Sequence, residues 1–291
     1  MHSVETRTGS VVYDEQGTGI PLVLLHANPG NYRHFAGIVP TLARSYRTIA
    51  LDWPGFGASS PPKPPNATSA MLLADVLEDV TAALELEPAI FIGNSVGGYA
   101  AARLAIRHPE RVRALILVDS GGFTSPTFIG RFLCWLKGSE LFTRLFATRF
   151  AQLYLKARTP LVQQIIADID AGRAIPARVA VDAAIWRSFP HPDHDLRTLA
   201  AQIAAPTLLV YGRYDPVIRF DQDGRTAQAS IPNAQMLVLE TGHEPFAEDP
   251  EAFLQAIEPF LQSMSRSLEQ SQPDTSERST HHASSNTSGS A

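Results

Sequence analysis

The 291-residue chain contains one cysteine, Cys134, and no long apolar run. A single thiol cannot close a disulfide within the chain, so folding must rely on packing rather than on cross-links. No apolar stretch approaches the ~20 residues of a membrane-spanning helix, and the first residues carry no apolar signal segment. We therefore expect a cytoplasmic protein with no membrane partner.

Positive charge is also scarce. The chain has 24 Lys and Arg residues against 29 Asp and Glu residues, which gives a formal net charge of −5. It has no run of basic residues that would bind the phosphates of nucleic acid or an anionic membrane surface, so no nucleic-acid partner is expected. With 44% hydrophobic residues, it can form one or two domains with a large core. The expected partner is a small-molecule substrate, and the expected assembly is a monomer or a dimer.

Predicted strands and helices alternate along the first part of the chain. Apolar runs predict strands at residues 10–13, 21–26, 46–51 and 111–119, with another beginning at residue 89. Continuous apolar runs are typical of strands buried on both faces of a sheet. Helical periodicity is clearest over residues 69–86, and a helical segment is also expected over 34–45. This alternation predicts an α/β fold with βαβ units and a mostly parallel, doubly wound sheet.

The alternation stops at about residue 122. From there to residue 200 the sequence predicts only helices, at residues 127–137, 141–147, 161–171 and 179–188. We interpret residues 122–200 as an inserted helical cap. Its aromatic residues are expected to form the core of the cap and, in part, to line a pocket. The aromatic residues concerned are Phe128, Phe132, Trp135 and Trp186.

The sheet resumes after the cap. Strands are predicted over residues 206–212 and 234–239, followed by a last amphipathic helix over 250–261. Residues 1–121 and 201–262 would therefore form one core that the cap interrupts. Residues 263–291 are rich in serine, threonine and glutamine and have almost no apolar groups, which predicts a disordered tail.

The segment Gly93-x-Ser95-x-Gly97 joins an apolar strand to an alanine-rich helix. This is the pattern of a nucleophile elbow, where a sharp turn lifts a serine hydroxyl clear of its neighbours so that a base can activate it. Glycine is needed on both sides because the turn brings backbone segments too close for a Cβ atom. The helix that follows aims its first amide hydrogens at the site, so Val96 N–H is expected to stabilise an oxyanion.

An activated serine needs a histidine base and a carboxylate that orients the histidine. Asp215 and His243 follow the last two predicted strands, in the chain order serine, acid, histidine. Asp119 also follows a predicted strand and is the alternative acid, although it could equally cap a turn or a helix. We favour Asp215 because it follows the stronger apolar strand.

With these residues identified, residues 11–261 resemble the α/β-hydrolase superfamily with a lid. The segment Asp52-Trp53-Pro54-Gly55-Phe56-Gly57 is similar to the D-x-P-G-x-G loop of that superfamily. The segment His26-Ala27-Asn28-Pro29 is similar to its H-G-x-P segment, with alanine in place of the usual glycine. The resemblance implies that Asn28 N–H is a second oxyanion donor beside Val96 N–H, and that His26 supports this loop by hydrogen bonding.

The resemblance implies neither a cofactor nor a metal. His191 and His194 have a spacing that metal ligands can have. No cluster of further histidines or cysteines accompanies them, so we interpret them as loop residues.

The resemblance implies a serine hydrolase, since haloalkane dehalogenases and epoxide hydrolases need an aspartate where this chain has Ser95. Hydrolysis of a small-molecule carboxylic ester or lactone is the first hypothesis. Hydrolysis of a carbon–carbon bond in a dienoate ring-cleavage product is the second. Enzymes of that kind often carry tryptophan directly after the histidine, where this chain has Glu244. Proline iminopeptidase activity is the third hypothesis, and a ligand receptor on the same fold is the alternative from another class.

Overall fold

The computed structural model describes residues 1–125 and 127–269. Its strands are β1 (His2–Thr6), β2 (Gly9–Gln16), β3 (Ile20–Leu25), β4 (Tyr46–Leu51), β5 (Ala89–Asn94), β6 (Val112–Val118), β7 (Thr207–Gly212) and β8 (Gln235–Leu239). They form one eight-stranded sheet in the order β1-β2-β4-β3-β5-β6-β7-β8. The pairs β1–β2 and β2–β4 are antiparallel, and every other neighbouring pair is parallel.

Helices cover both faces of this sheet. They are α1 (Val39–Leu42), α2 (Ala70–Ala83), α3 (Val96–Arg107), α4 (Phe128–Lys137), α5 (Glu140–Tyr154), α6 (Pro160–Gly172), α7 (Pro176–Ser188), α8 (Arg225–Ser230), α9 (Pro245–Glu248) and α10 (Pro250–Glu269). Val23 and Leu25 of β3 belong to the core with α2, α3 and α8, whereas Leu22 and Leu24 belong to the core with α1 and α10. Because successive side chains of a strand point to opposite faces, β3 is buried on both sides. The predicted doubly wound α/β-hydrolase fold is confirmed.

Four helices, α4 to α7, separate β6 from β7, and the described residues between those two strands contain no further strand. They overlap the four helices predicted there, but α5 continues to Tyr154 instead of ending at residue 147. A serine or threonine side chain caps the N-terminus of each of α4, α5 and α6, which satisfies one orphan amide hydrogen per helix. The division into core and cap remains our proposal.

The predicted helix over 34–45 is wrong. The structure has a single 3₁₀ turn at Tyr32–Phe35, and the short α1 follows it. Gly37 lies between them against Pro250, and a Cβ atom at Gly37 would come 2.6 Å from Pro250 Cγ. Pro40 in the first turn of α1 has no amide hydrogen to donate, so a helix cannot continue through it from the preceding turn. Sequence reasoning also missed β1, an exposed edge strand that lacks an apolar run, and the short α8.

The last helix is longer than predicted, since α10 runs to Glu269 rather than to residue 261. Residues 263–269 are therefore helical, and the tail predicted to be disordered from residue 263 cannot begin there. The rest of that tail, residues 270–291, lies outside the described residues.

The cap aromatics divide in an unexpected way. Trp186 is buried, as predicted, but Phe128, Phe132 and Trp135 of α4 are 85%, 51% and 68% exposed. The expectation that these three residues form the core of the cap is wrong. The residue that α4 buries is Lys137, so the helix turns its apolar stripe outward. Within the described part of the chain, no helix has the length and apolar character needed to cross a membrane.

Candidate active site

Ser95 lies in the turn between β5 and α3, with φ +55° and ψ −113°. A positive φ is rare for a residue with a side chain and persists only where the surroundings hold it. Here the Ser95 N–H donates to Val118 O at 3.0 Å, and the Ser95 carbonyl accepts from the amides of Tyr99 and Gly121 at 3.0 and 2.9 Å. The side chain itself is only partly buried. The turn is thus fixed by its backbone while its serine stays accessible.

The two glycines around Ser95 sit where a side chain would not fit. A Cβ atom on Gly93 would overlap the carbonyl group of Gly97, and a Cβ atom on Gly97 would overlap the carbonyl oxygen of Leu25. These contacts involve main-chain atoms, which cannot move aside as a flexible side chain can. The steric reason for glycine in the predicted elbow is therefore present in the structure.

The loops after β7 and β8 bring Asp215 and His243 together. His243 Nδ1 and Asp215 Oδ2 are 2.6 Å apart, and both side chains are buried. The other carboxylate oxygen of Asp215 accepts from the Val217 amide at 2.7 Å, which holds the carboxylate in place. With its proton on Nδ1 and directed at Asp215, the imidazole has Nε2 available as a proton acceptor.

Burial is the largest single influence on His243 and lowers the pKa of its imidazole. The charge and hydrogen bond of Asp215, followed by the charges of Glu244 and Glu248, act in the opposite direction and leave the pKa raised above its ordinary value. The balance favours a histidine that accepts a proton readily. This is the property required of a general base.

Asp119, the alternative acid, occupies a different position. It lies at the end of β6 with φ +39°, and its carboxylate accepts the Gly212 amide hydrogen at 3.1 and 3.2 Å. Burial, and next the charge of Asp215, raise the pKa of Asp119 well above its usual range. The hydrogen bond to His243 Nδ1 is made by Asp215, so Asp119 supports the backbone of the adjoining strand instead.

Asn94, directly before the serine, was not singled out from the sequence. Its side-chain amide donates 3.0 Å hydrogen bonds to the carbonyl oxygens of Val118 and His243. One buried side chain therefore ties the elbow both to the end of β6 and to the histidine loop. The only signal in the sequence was its position in the elbow, where any residue type is allowed.

The two predicted oxyanion donors follow neighbouring strands. Leu25 of β3 pairs with Gly93 of β5, so the loop after β3 lies beside the first turn of α3. Asn28 is in that loop and Val96 begins that helix. Among the described residues, neither amide hydrogen has a hydrogen-bond acceptor. Both are free to bind an oxygen atom of a ligand.

His26 is locked into this loop as a neutral imidazole. Its Nε2 accepts from the Trp53 amide at 3.0 Å, and its Nδ1 lies 2.6 Å from the Ala27 carbonyl oxygen, to which it donates. The Trp53 indole N–H donates back to the His26 carbonyl at 2.9 Å. Burial, the largest influence, lowers the pKa of His26 well below its ordinary value. These bonds join the 26–29 and 52–57 segments, as expected of a supporting residue.

Two helices, α5 and α7, contact predicted site residues through side chains that sequence reasoning missed. Tyr154 of α5 packs its ring 5.4 Å from that of His243, and its carbonyl oxygen accepts the His243 amide hydrogen at 3.1 Å. Asp182 of α7 accepts the side-chain N–H of Asn28 at 3.0 Å. Buried Lys137 lies over the rings of Phe150 and Trp186, at 4.5 and 5.3 Å from their centroids. No local sequence pattern marks these contacts.

Two sets of residues have atoms of the kind that bind metals. Ligand atoms of Asp119, Asp215 and His243 all lie within 4.8 Å of one another. Each is already engaged in the hydrogen bonds described above, with which a metal would compete. His191 is exposed, whereas His194 is half-buried and packs its ring 4.5 Å from that of Tyr99. Burial lowers the pKa of His194 to about 4.

The chain is similar to known proteins in both sequence and fold. A family model described as the alpha/beta hydrolase fold matches residues 20–131. The chain is 32% identical over 273 residues to pimeloyl-[acyl-carrier protein] methyl ester esterase of Aeromonas hydrophila, covering 87% of this chain and 99% of that protein. It is 33% identical over 266 residues to 2-hydroxymuconate semialdehyde hydrolase of Pseudomonas putida, covering 85% and 89%. The crystal structure of a bacterial membrane phospholipase A aligns with a TM-score of 0.79 and 26% identity, over 91% of this chain and 86% of that one.

Proposed function

This chain belongs to the α/β-hydrolase family, and we propose that it cleaves a small-molecule carboxylic ester or lactone through an acyl-enzyme at Ser95. The observation that carries this proposal is the combination of Ser95 at φ +55° with a buried His243–Asp215 pair 2.6 Å apart. An accessible serine on a strained turn and a histidine oriented by a carboxylate are the groups that nucleophilic catalysis requires. We also propose a cytoplasmic location, on the basis of the single cysteine.

In the proposed mechanism, His243 Nε2 takes the proton of the Ser95 hydroxyl as its oxygen bonds to the substrate carbonyl carbon. Asp215 holds the Nδ1 proton and stabilises the imidazolium that forms. The carbonyl oxygen, now negatively charged, accepts hydrogen bonds from the amides of Val96 and Asn28.

The tetrahedral intermediate then expels the alcohol oxygen, which leaves with the proton from His243. Water attacks the acyl group, gives one proton to His243 and forms the second tetrahedral intermediate. When the bond to Ser95 breaks, the serine oxygen recovers that proton, and the acid is released. Atoms and charge balance without any added group.

Carbon–carbon hydrolysis is the second candidate, because 2-hydroxymuconate semialdehyde hydrolase matches this chain at 33% identity. The residue after His243 favours ester hydrolysis, because carbon–carbon hydrolases of this kind often carry tryptophan there. In this chain that residue is Glu244, which is fully buried with its carboxylate 2.9 Å from His34 Nδ1. Esters of graded chain length and a ring-cleavage dienoate, assayed side by side, separate the two. A rate that is higher with the dienoate would overturn the ester proposal.

The nucleophile is tested directly with Ser95→Ala. We expect turnover to fall by roughly 10³-fold to 10⁶-fold with an unchanged melting temperature. A fluorophosphonate probe should label Ser95 in the wild-type chain and nothing in the variant. A receptor on the same fold would bind its ligand but stop after one covalent event, whereas an esterase should turn over continuously. Labelling at another residue, or full activity in the variant, would contradict the proposal.

A further inference from the structure

The outer surface of the cap carries an unusual concentration of apolar side chains. Eight large apolar residues on α4 and α5 are each more than half exposed, and we call six of them the apolar cap face: Phe128, Ile129, Phe132, Trp135, Leu141 and Leu145. Phe128, Phe132 and Trp135 follow the helical spacing i, i+4, i+7, and the Phe132 and Trp135 rings stack at 5.8 Å. Leu141 and Leu145 repeat the i, i+4 spacing on α5. The exposure is therefore organised along helix faces.

The packing of α4 is reversed relative to an ordinary surface helix. Its apolar stripe faces outward, and its buried residue is the cation Lys137. Single exposed apolar residues are common on proteins, but several exposed aromatic residues along one face of a helix, as on α4, mark a surface that something else covers.

The charges around the apolar cap face indicate what covers it. Arg131 on α4, and Arg144 and Arg149 on α5, are exposed, and none of them forms an ion pair within the described residues. Glu140 is the only acidic residue in the two helices. The cap face is thus locally basic in a chain whose net charge is −5.

We propose that the apolar cap face docks on the surface of a lipid bilayer that contains anionic headgroups. Aromatic and aliphatic side chains would enter the boundary between headgroups and acyl chains, where tryptophan is favoured, and the arginines would pair with lipid phosphates. A second copy of this chain fits less well. A two-fold interface built from this face would bring the same arginines of both copies together.

This proposal replaces the expectation of no membrane partner. That expectation was based on the absence of an apolar span and of a run of consecutive basic residues, and the apolar cap face contains neither. Its apolar and basic residues are interleaved and meet on the surface only because the segment is helical. Docking does not depend on the proposed hydrolysis, so Ser95→Ala should bind vesicles as well as the wild-type chain does.

Vesicle co-sedimentation of the full chain tests the proposal, with phosphatidylcholine vesicles and vesicles that also contain phosphatidylglycerol. We expect binding to the mixed vesicles that weakens as salt is added. The double variant F132S/W135S should lower the ratio of bound to free protein by about tenfold or more. R131E/R144E should lose binding to the mixed vesicles. Because all four side chains are exposed, the variants should keep the wild-type melting temperature.

The matched control is I175S/L199S, which removes two exposed apolar residues elsewhere on the surface and should leave binding unchanged. Equal binding by the control and F132S/W135S, or no binding of the wild-type chain to mixed vesicles, would overturn the proposal. So would a wild-type dimer that F132S/W135S converts to a monomer while vesicle binding is absent. That result would identify a second copy as the occupant of the cap face.

Discussion

Asn94 donates a hydrogen bond of 3.0 Å from its side chain to the main-chain carbonyl oxygen of His243. The residue next to the proposed nucleophile therefore positions the loop that carries the proposed base. A second bond of 3.0 Å from the same amide group reaches Val118 O. The relative placement of Ser95 and His243 thus depends on a side chain that takes no part in the proposed chemistry.

Replacing Asn94 with alanine should impair both folding and rate. The His243 carbonyl loses this donor, whereas the Val118 carbonyl keeps the Ser95 amide, and we expect a loss of about 1–3 kcal/mol in the free energy of unfolding. Because the histidine loop is then less well placed, kcat should fall by roughly tenfold to a hundredfold. Thr207→Ala is the control, since it removes a buried hydroxyl that donates to Ala205 O away from the site. It should lose stability without losing kcat, and an equal kcat for both variants would disprove the positioning role.

The pH profile should report the balance of charges around His243. Only the neutral imidazole can accept the serine proton, so kcat/KM should rise with pH through the pKa of His243. The raised pKa places the wild-type midpoint above the ordinary histidine value of about 6.5. Asp215→Asn removes the main contribution that raises this pKa and should move the midpoint to lower pH. The rate above the midpoint should also fall by about 10³-fold to 10⁴-fold. An unshifted midpoint would contradict the assigned pairing.

Asp119→Asn should be far milder than Asp215→Asn. Asp119 accepts the Gly212 amide, and an asparagine oxygen can accept the same bond. Burial and the charge of Asp215 raise the pKa of Asp119, so this position disfavours a negative charge and a neutral amide is a close substitute. We expect kcat/KM to change by no more than about tenfold. Steady-state kinetics of Asp119→Asn and Asp215→Asn test this expectation. A larger loss of kcat/KM in the Asp119 variant would reverse the assignment of the acid.

Asp182 should matter because the cap holds the oxyanion loop through it. Asp182→Ala deletes the carboxylate acceptor of the Asn28 side chain, which keeps only the Asp182 carbonyl oxygen at 3.3 Å, and it removes the negative charge that acts on buried Lys137. Because the carboxylate accepts a buried hydrogen bond, we expect a loss of about 1–3 kcal/mol in the free energy of unfolding. Asp182→Asn keeps the acceptor but not the charge. Both variants should melt at lower temperature, and only the alanine variant should also lose kcat. Equal losses of kcat in the two variants would show that turnover depends on the charge of Asp182 and not on its hydrogen bond to Asn28.

Local features of the sequence predicted the α/β architecture and supplied the candidate site residues. The two glycines around Ser95 follow from steric contacts within one turn, and continuous apolar runs follow from burial on both faces of a strand. Each signal lies within a few residues of chain. Because parallel strands end at one edge of the sheet, Asp215 and His243 could then be named from their positions after strands.

Contacts between distant segments decided the rest. Asp119 and Asp215 follow the neighbouring strands β6 and β7. The path of the loop after each strand determines that Asp215, and not Asp119, bonds to His243 Nδ1. The bonds Asn94–His243 and Asn28–Asp182 join residues that are 149 and 154 positions apart. The sequence shows an apolar stripe on α4, but it does not show whether that stripe faces the protein or the solvent. Periodicity shows that a helix has two unlike faces, whereas the neighbours contributed by other segments determine which face they cover.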